Sequence, residues 1–461
     1  MVFSVRQLQE KCREQNMPLF MAFVDLTKAF DLVSRQGLFA ILEKIGCPPK
    51  LLGIVRSFHT DMKGTIQFDG STSDAFEINS GVKQGCVLAP TLFGIFFSVL
   101  LKSAFQDCTE GVLIHSRADG SLFDLRRLRA KTRIHKLTVR EMLFADDAAL
   151  VSHTEGGLQD LIDRFSSACD AFGLTISIKK TEVMAQNASS APTISIGDKN
   201  LACVDNFTYL GSTISSNASL EAEISRRIGR ASGTMAQLSK RAWENQMLTT
   251  RTKMSIYQAC VVSTLLYGSE TWTLYSKQEQ RLNTFHLRCL RRILGISWYD
   301  RVSNCEVLDK AEMPSLHSLL SKRRLRWLGH VHRMEVERLP REIMYGELAN
   351  GSRSVGRPKL RFRDACKRDL EAFDIRSDQW QNLAKERPRW RHALQEGAAA
   401  HETQIRLKWE EKRKRRKQFP SVESSVDPDA PHRPTFTCDR CSRVCRSRIG
   451  LFSHKRSCSR T

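Results

Sequence analysis

Residues 142–151 read Met-Leu-Phe-Ala-Asp-Asp-Ala-Ala-Leu-Val. Two apolar runs, Met142–Phe144 and Ala148–Val151, flank Ala145, Asp146 and Asp147, the pattern of two buried strands joined by a tight turn. An Asx turn would account for one aspartate, but two adjacent carboxylates repel each other and the turn does not need both. The reading changes with Phe20–Leu26 (FMAFVDL), a further apolar run of strand length that carries Asp25 near its end. If that strand lies beside the hairpin, Asp25, Asp146 and Asp147 gather at one edge of a sheet. Three carboxylates there make a hard, oxygen-rich site suited to Mg²⁺. Two such ions can clamp the attacking and leaving oxygens of a phosphoryl transfer.

Outward from these strands the pattern alternates. A helical periodicity follows Thr27, with Leu38, Ile41, Leu42 and Ile45 on one face, and Gly46 and Pro48 stop it. Thr65–Phe68 and Phe76–Ile78 flank Asp69-Gly70-Ser71 as a hairpin would. Pro90 opens an apolar helix ending near Phe105, and Leu158–Phe172 is a second helix, ended by Gly173. Leu174–Ile178 alternates as a strand does. This order gives an α+β fold with helices behind a sheet. The longest apolar run, Val87–Leu101, is 15 residues broken by Pro90, Gly94 and Ser98, short of the ~20 that a membrane span needs. Arg6, Lys11 and Arg13 interrupt any signal-peptide pattern. The expectation is a protein of the nucleus or cytoplasm, neither secreted nor membrane-spanning.

The chain has 461 residues with 72 Lys and Arg against 50 Asp and Glu, a net of +22. Residues 1–185 hold 22 basic and 21 acidic side chains, so the remaining 50 basic and 29 acidic residues put +21 in the back half. A charge this asymmetric points to a polyanionic partner, foremost nucleic acid. The 14 cysteines are mostly scattered, with four in the last 24 residues. That is the pattern of a reducing compartment and one metal site rather than of a disulfide scaffold. The organisation expected is a catalytic α+β part over 1–186, a helical part over 187–345, a basic helical part over 346–417, a disordered linker over 418–435 and a small metal-bound module over 436–461.

Phe23–Asp31 (FVDLTKAFD), Ser80–Phe93 (SGVKQGCVLAPTLF), Phe144–Asp147 (FADD), Gly173–Met184 (GLTISIKKTEVM) and Phe207–Ile214 (FTYLGSTI) occur in this order. They resemble, respectively, motifs A to E of reverse transcriptases, in wording closest to the non-LTR, LINE-type retrotransposon enzymes. Lys322–Met334 (KRRLRWLGHVHRM) and Gly356–Asp364 (GRPKLRFRD) look like the downstream region of such elements. The resemblance implies an RNA-directed DNA polymerase: a palm, a mostly helical thumb, an RNA template, a DNA primer and deoxynucleotide triphosphates. It implies that Asp25 and Asp146, with Asp147 as a weaker third, are catalytic and hold two Mg²⁺ ions. Phe30 matches the residue under the incoming sugar that rejects a 2′-OH, with plain core as its alternative. Gln84 and Gly85 match the pair that contacts nucleotide and template, and Gly85 has no Cβ to obstruct a close approach. Lys180 matches the lysine that meets the pyrophosphate, with Lys179 as rival because alternation points only one of the two inward. Tyr209-Leu210-Gly211 resembles the primer grip. Only 24 residues precede Asp25, so the expectation is the distal part of a longer reading frame, without endonuclease and most of the fingers. An inactive remnant that only binds nucleic acid is the alternative.

Cys438-x2-Cys441-x12-His454-x3-Cys458 has zinc-finger spacing with a terminal Cys, a donor set suited to one structural Zn²⁺. Cys445 is a core position or a competitor of Cys441. By that alignment Ser447, Gly450 and Ser453 would face bases, and these short side chains predict little sequence reading. Arg443, Arg446, Arg448, Lys455 and Arg456 would meet phosphates. Lys322, Arg323, Arg324 and Arg326, with Trp327, His330 and His332, mix charge and aromatics. Nucleic-acid binding uses such a mixture, and so does a solvated helix face.

Overall fold

The central strand of the main sheet is β1 (Leu19–Val24), buried at all six positions, as a strand covered on both faces must be. In the computed structural model, the residues described are those outside 118–121, 125–131, 133, 352, 354–355, 357–358, 419–435, 440, 442–443, 446–450, 453, 456–457 and 459–461. The remaining strands of the five-stranded sheet are β2 (Glu141–Phe144), β3 (Asp147–Ser152), β4 (Glu182–Gln186) and β5 (Ala202–Cys203), in the order β5-β4-β1-β3-β2. β1 is antiparallel to both neighbours, with Val24 opposite Ala148 and Phe23 opposite Glu182. A hairpin of β6 (Asn206–Tyr209) and β7 (Ser212–Ser215) follows.

Among the described residues the helices of nine residues or more are α1 (Val2–Glu14), α2 (Arg35–Lys44), α3 (Pro49–Ser57), α4 (Ala89–Phe105), α5 (Glu155–Ala171), α6 (Glu221–Gln237), α7 (Ser276–Ile293), α8 (Leu316–His332), α9 (Phe362–Ala372) and α10 (Arg387–Gln418). The mixed α+β expectation therefore holds. Strand alternation sorts the sheet between two cores. Phe20, Ala22, Val24, Ala148 and Leu150 face α4 and α5, meeting Phe93, Phe97, Leu161 and Phe165. Met21, Phe23, Ala149 and Val151 face the other way, toward Leu8, Tyr209 and Ile214.

Several local expectations shift. The helix expected from Thr27 starts at Arg35, because Lys28 turns the chain at φ +47° and Ser34 caps the new start by accepting from the Gly37 amide at 3.2 Å. Gly46 does end that segment, at φ +88°. The strand expected over 174–178 shrinks to Thr175–Ile176, which pairs with Leu26–Thr27. The expected hairpin is two nested pairs, Gln67–Phe68 with Ser71–Thr72 and Lys63–Gly64 with Phe76–Glu77.

α1 carries no strong apolar signature, yet Gln7, Gln9, Glu10 and Lys11 are buried. Each finds a distant partner or close packing. Gln9 donates to the Ser215 carbonyl at 2.9 Å, Lys11 to the Gly346 carbonyl at 2.6 Å, and Glu10 accepts from the Phe362 amide at 2.9 Å. Val112–Arg117 and Ile134–Val139, joined by Glu347–Leu348, form a further sheet that polar residues hide in the sequence. Residues 1–405 make one compact unit and 406–461 another. The divisions expected at 186 and 345 fall inside the first unit, and residues 419–435 of the expected linker lie outside the described residues. Among the described residues no helix is long and apolar enough to cross a membrane.

Candidate active site

β1 stops at Val24, opposite Ala148, so the next step of the pairing sets Asp25 across from Asp147 at the same edge. The β2–β3 connection is only Ala145 and Asp146, with Ala145 in the left-handed region at φ +54° to close the turn. The backbone of Asp25 is pinned from the other side. Its amide donates to Thr181 Oγ1 at 3.3 Å, and its carbonyl accepts from the Ser177 amide at 2.8 Å. The turn from Ser177 to Thr181 carries Lys180 over the carboxylate, with Nζ 3.2 Å from Asp25 Oδ2. That ammonium sits off the angle of a hydrogen bond, so Oδ2 is buried with a charged neighbour and no hydrogen-bond donor.

The four groups share one field. Burial raises the Asp147 carboxyl above its ordinary range, the charges of Asp146 and Asp25 raise it further, and Lys180 opposes them. The three aspartates are electrostatic neighbours. The donor set fits a hard divalent cation: carboxylates only, one oxygen unsatisfied, and a raised pKa that a cation would reverse.

Phe30 is half-buried and stacks on Phe93 with centroids 4.3 Å apart, so its ring belongs in part to the core behind the sheet. Gln84 is exposed. Gly85 has φ +82°, but a Cβ there would meet no protein atom within 4 Å. Its own backbone conformation therefore accounts for the glycine within the protein. The close approach occurs at Gly81 instead, where a Cβ would come 2.6 Å from the Asp31 carbonyl oxygen.

The β6–β7 hairpin packs on the sheet face opposite α4 and α5, with Phe207 stacked on Phe23 at 4.4 Å and Tyr209 at 5.2 Å. The Tyr209 hydroxyl is buried without a partner, and burial and the charge of Asp147 push its pKa well up. Leu210 and Gly211 turn the hairpin at φ +47° and +76°. Residues that the sequence did not single out hold this turn. Tyr267 donates to the Leu210 carbonyl at 2.9 Å, Arg227 donates to the Gly211 carbonyl, and buried Glu223 accepts from the Thr213 amide at 2.6 Å. Arg227 also pairs with Glu223 at 2.8 Å and lies over the Tyr267 ring at 4.6 Å. An i,i+4 Glu–Arg pair on α6 was the only available signal.

In the second unit, Phe436–Thr437 pairs with Val444–Cys445. Near this ladder Cys438, Cys441, His454 and Cys458 offer four ligand atoms within 4.8 Å of one another. A tetrahedral zinc with Zn–S near 2.3 Å and Zn–N near 2.0 Å has ligand–ligand edges of about 3.4–3.8 Å, so the group fits such a metal. Ser447, Gly450, Ser453, Arg443, Arg446, Arg448 and Arg456 lie outside the described residues, while Lys455 pairs with Asp439 at 2.9 Å.

The basic tract on α8 separates into two faces. Arg324 is buried and pairs with Asp369, while donating to the Trp272 carbonyl at 3.3 Å. His332 bonds the Tyr345 hydroxyl at 2.8 Å, and burial then neighbouring cations lower its pKa to about 4. These two serve the interior. Arg326 and His330 are exposed.

Residues 2–214 match the family described as reverse transcriptase (RNA-dependent DNA polymerase). A transposon-derived protein of Caenorhabditis elegans is 25% identical over 271 residues, 56% of this chain and 96% of its own. The RNA-directed DNA polymerase from mobile element jockey of Drosophila melanogaster is 24% identical over 62% of this chain, which spans 29% of that protein's length. The Pol polyprotein of a type-1 retrotransposable element R2 from Bradysia coprophila is 26% identical over 36% of this chain and 17% of its own. Among solved structures, an apo telomerase of Candida tropicalis aligns over 76% of this chain and 56% of its own, at 12% identity and a TM-score of 0.34.

Proposed function

We propose, from the premise that residues 2–214 belong to the reverse-transcriptase family and resemble its non-LTR retrotransposon members, that this chain is an RNA-directed DNA polymerase. The observation that carries the reading is the edge where Asp25, the Asp146–Asp147 turn and Lys180 meet. The five-stranded sheet with α4 and α5 is the palm, the helices between β7 and residue 345 are the thumb, and a basic helical region follows over 346–417. Asp25, Asp146 and Asp147 are the residues that would hold two Mg²⁺ ions. When bound, these neutralise charge on the transferring phosphoryl group and activate the primer 3′-OH.

The chain's own residues do the positioning. The pinned Asp25 backbone and the two-residue turn fix the carboxylates before any ligand arrives, which is the preorganisation that makes electrostatic stabilisation effective. Lys180, aimed at Asp25 and largely exposed, donates a proton to the departing pyrophosphate. Phe30 sits under the sugar of the incoming deoxynucleotide, where its stack on Phe93 stiffens the ring against a 2′-OH. Gln84 and Gly85 meet the nucleotide and the RNA template. Tyr209 and the braced Leu210–Gly211 turn hold the DNA primer end. Cys438, Cys441, His454 and Cys458 hold one structural Zn²⁺ in a small finger. The basic surface and the polyanionic substrate suit a nuclear protein.

Primer extension on an RNA template tests the reading. Wild type should incorporate deoxynucleotides in Mg²⁺, and Asp25→Asn or Asp146→Asn should abolish incorporation while circular dichroism and primer–template binding persist. Extension by the Asp146→Asn protein at the wild-type rate would refute it.

A further inference from the structure

Within residues 1–405 a cavity of about 540 Å³ opens between α8 and the start of α10. Five arginines line it: Arg323, Arg326, Arg333, Arg387 and Arg391. On α8 and its C-cap the positions 323, 326, 330 and 333 recur at three- and four-residue steps, so one helix face points into the cavity. Arg387 and Arg391 repeat the step on α10. The two walls are fixed against each other. Trp390 donates its indole N–H to the Leu325 carbonyl at 3.3 Å, and a Cβ on Gly329 would stand 2.2 Å from that nitrogen. Helices held this closely do not splay to relieve charge.

The five arginines outnumber the counter-charge around them, with Arg323 and Arg333 half-buried and Arg326, Arg387 and Arg391 exposed. Glu270 is the one carboxylate in the lining. Arg323 donates to the Leu266 carbonyl at 2.8 Å and Arg333 to the Ala384 carbonyl at 2.6 Å, both neutral acceptors. Arg326, Arg387 and Arg391 have no ion pair or hydrogen bond among the described residues. Their mutual field is felt at the rim: burial and the charges of Arg387 and Arg391 lower the Arg333 pKa, and burial with Arg333 and Arg387 lowers that of His330. Trp327 adds a buried indole N–H without a partner. Like charges at i,i+4, as at Arg387 and Arg391, cost stability without an anion.

We infer that this cavity binds the phosphate backbone of a single-stranded nucleic acid, gripped by Arg326, Arg387 and Arg391. Planar guanidinium forks match phosphate oxygens bidentately. A volume in the range of nucleotide-sized ligands admits a nucleotide or two of flexible strand, and the half-buried Trp327 supplies an apolar wall for a base. The inference rests on the reading that the chain handles nucleic acid, but the site lies on residues beyond the matched 2–214.

The test uses the full chain and fluorescein-labelled oligo(U) and oligo(dT), followed by anisotropy across a salt series. Arg326→Gln/Arg387→Gln/Arg391→Gln removes the exposed grips and leaves the buried Arg324–Asp369 pair. Arg338→Gln/Arg376→Gln/Arg389→Gln removes three exposed, ion-paired arginines outside the lining as the charge-matched control. The cavity variant should bind at least tenfold more weakly at 150 mM salt. Its log–log salt slope should shrink by about two, at roughly 0.7 per single-strand phosphate contact. Equal effects from the two triple variants would overturn the site. So would competition by inorganic triphosphate that displaces the strand equally from wild type and cavity variant. Primer extension separates this from the catalytic reading. If wild type does not polymerise but the cavity variant alone loses the strand, the site stands and the polymerase reading falls. If wild type polymerises and the cavity variant binds as wild type does, the site falls alone.

Discussion

Replacing Lys180 with alanine should separate chemistry from folding. Its ammonium lies 3.2 Å from Asp25 Oδ2, with 70% of the side chain exposed. At that exposure solvent holds such a pair to about 0.2–1 kcal/mol of stability, so the melting temperature of Lys180→Ala should move by at most about 2–4 °C. Proton donation to a leaving group is worth roughly 10²–10⁴ in rate. Single-nucleotide incorporation at saturating primer–template should therefore slow by that factor with thermal unfolding nearly unchanged. Lys180→Arg retains the charge beside Asp25, but a guanidinium does not release its proton near neutral pH, so it should restore little of the rate. Loss of the cation also removes the one influence that lowers the Asp147 pKa, and the acid limb of the pH–rate profile should move to higher pH. Rapid-quench incorporation with Lys180→Ala, Lys180→Arg and Lys179→Ala, melted in parallel, measures all of this. Full activity in Lys180→Arg, or a loss confined to Lys179→Ala, would refute the proton-donor role.

Three further outcomes follow from the geometry. Gly81→Ala forces a Cβ to 2.6 Å from the Asp31 carbonyl at φ +80°, so chemical denaturation should show a loss of about 1–3 kcal/mol, whereas Gly46→Ala, with open space around it, should lose less. His286 is buried between Tyr257 at 2.8 Å and the Pro314 carbonyl at 3.2 Å, and burial lowers its pKa from 6.5 to about 4. A base with a depressed folded pKa stabilises fully above pH 6.5 and loses that contribution as pH falls toward 4, roughly 3 kcal/mol in all at 1.36 per pH unit; unfolding of His286→Gln should show a shallower slope across this window than wild type. Cobalt substituted for zinc should give the absorption of a thiolate-rich tetrahedral site in the full chain, lost in Cys458→Ser and retained in Cys445→Ser, and the opposite pattern would move the ligand to Cys445.

The parts of the fold that could be read from the sequence are those decided locally. The apolar run of β1, the split run around Asp146 and Asp147, the glycine stops at 46 and 173 and the proline start of α4 each follow from a few neighbouring residues. The pairing of Asp25 with the aspartate turn was legible because strand register carries it. What escaped was decided by distant partners. α1 looks like a polar surface helix, and only residues 215, 346 and 362 explain why its Gln9, Lys11 and Glu10 are buried. Arg324 and Arg326 are the same letter two positions apart, and Asp369, 45 residues on, sends the first inward. Gly85 drew notice for its motif, but Gly81 carries the steric constraint. The bracing of the Leu210–Gly211 turn by Arg227 and Tyr267 likewise has no local sign beyond an i,i+4 pair.

The partners of α1 also set a schedule for synthesis. Lys11 and Glu10 meet acceptors and donors 335 and 352 residues later in the chain. At 5–20 residues per second, on the order of 20–70 s separate the emergence of the first helix from that of its last neighbour. A 13-residue helix is marginal by itself in water, so during this interval the segment has little to hold its shape and its apolar positions Val5 and Leu8 stay uncovered. The α1 segment thus leaves the ribosome long before its partners and is among the last to settle, and chaperone binding to nascent chains should concentrate on it until translation passes Phe362.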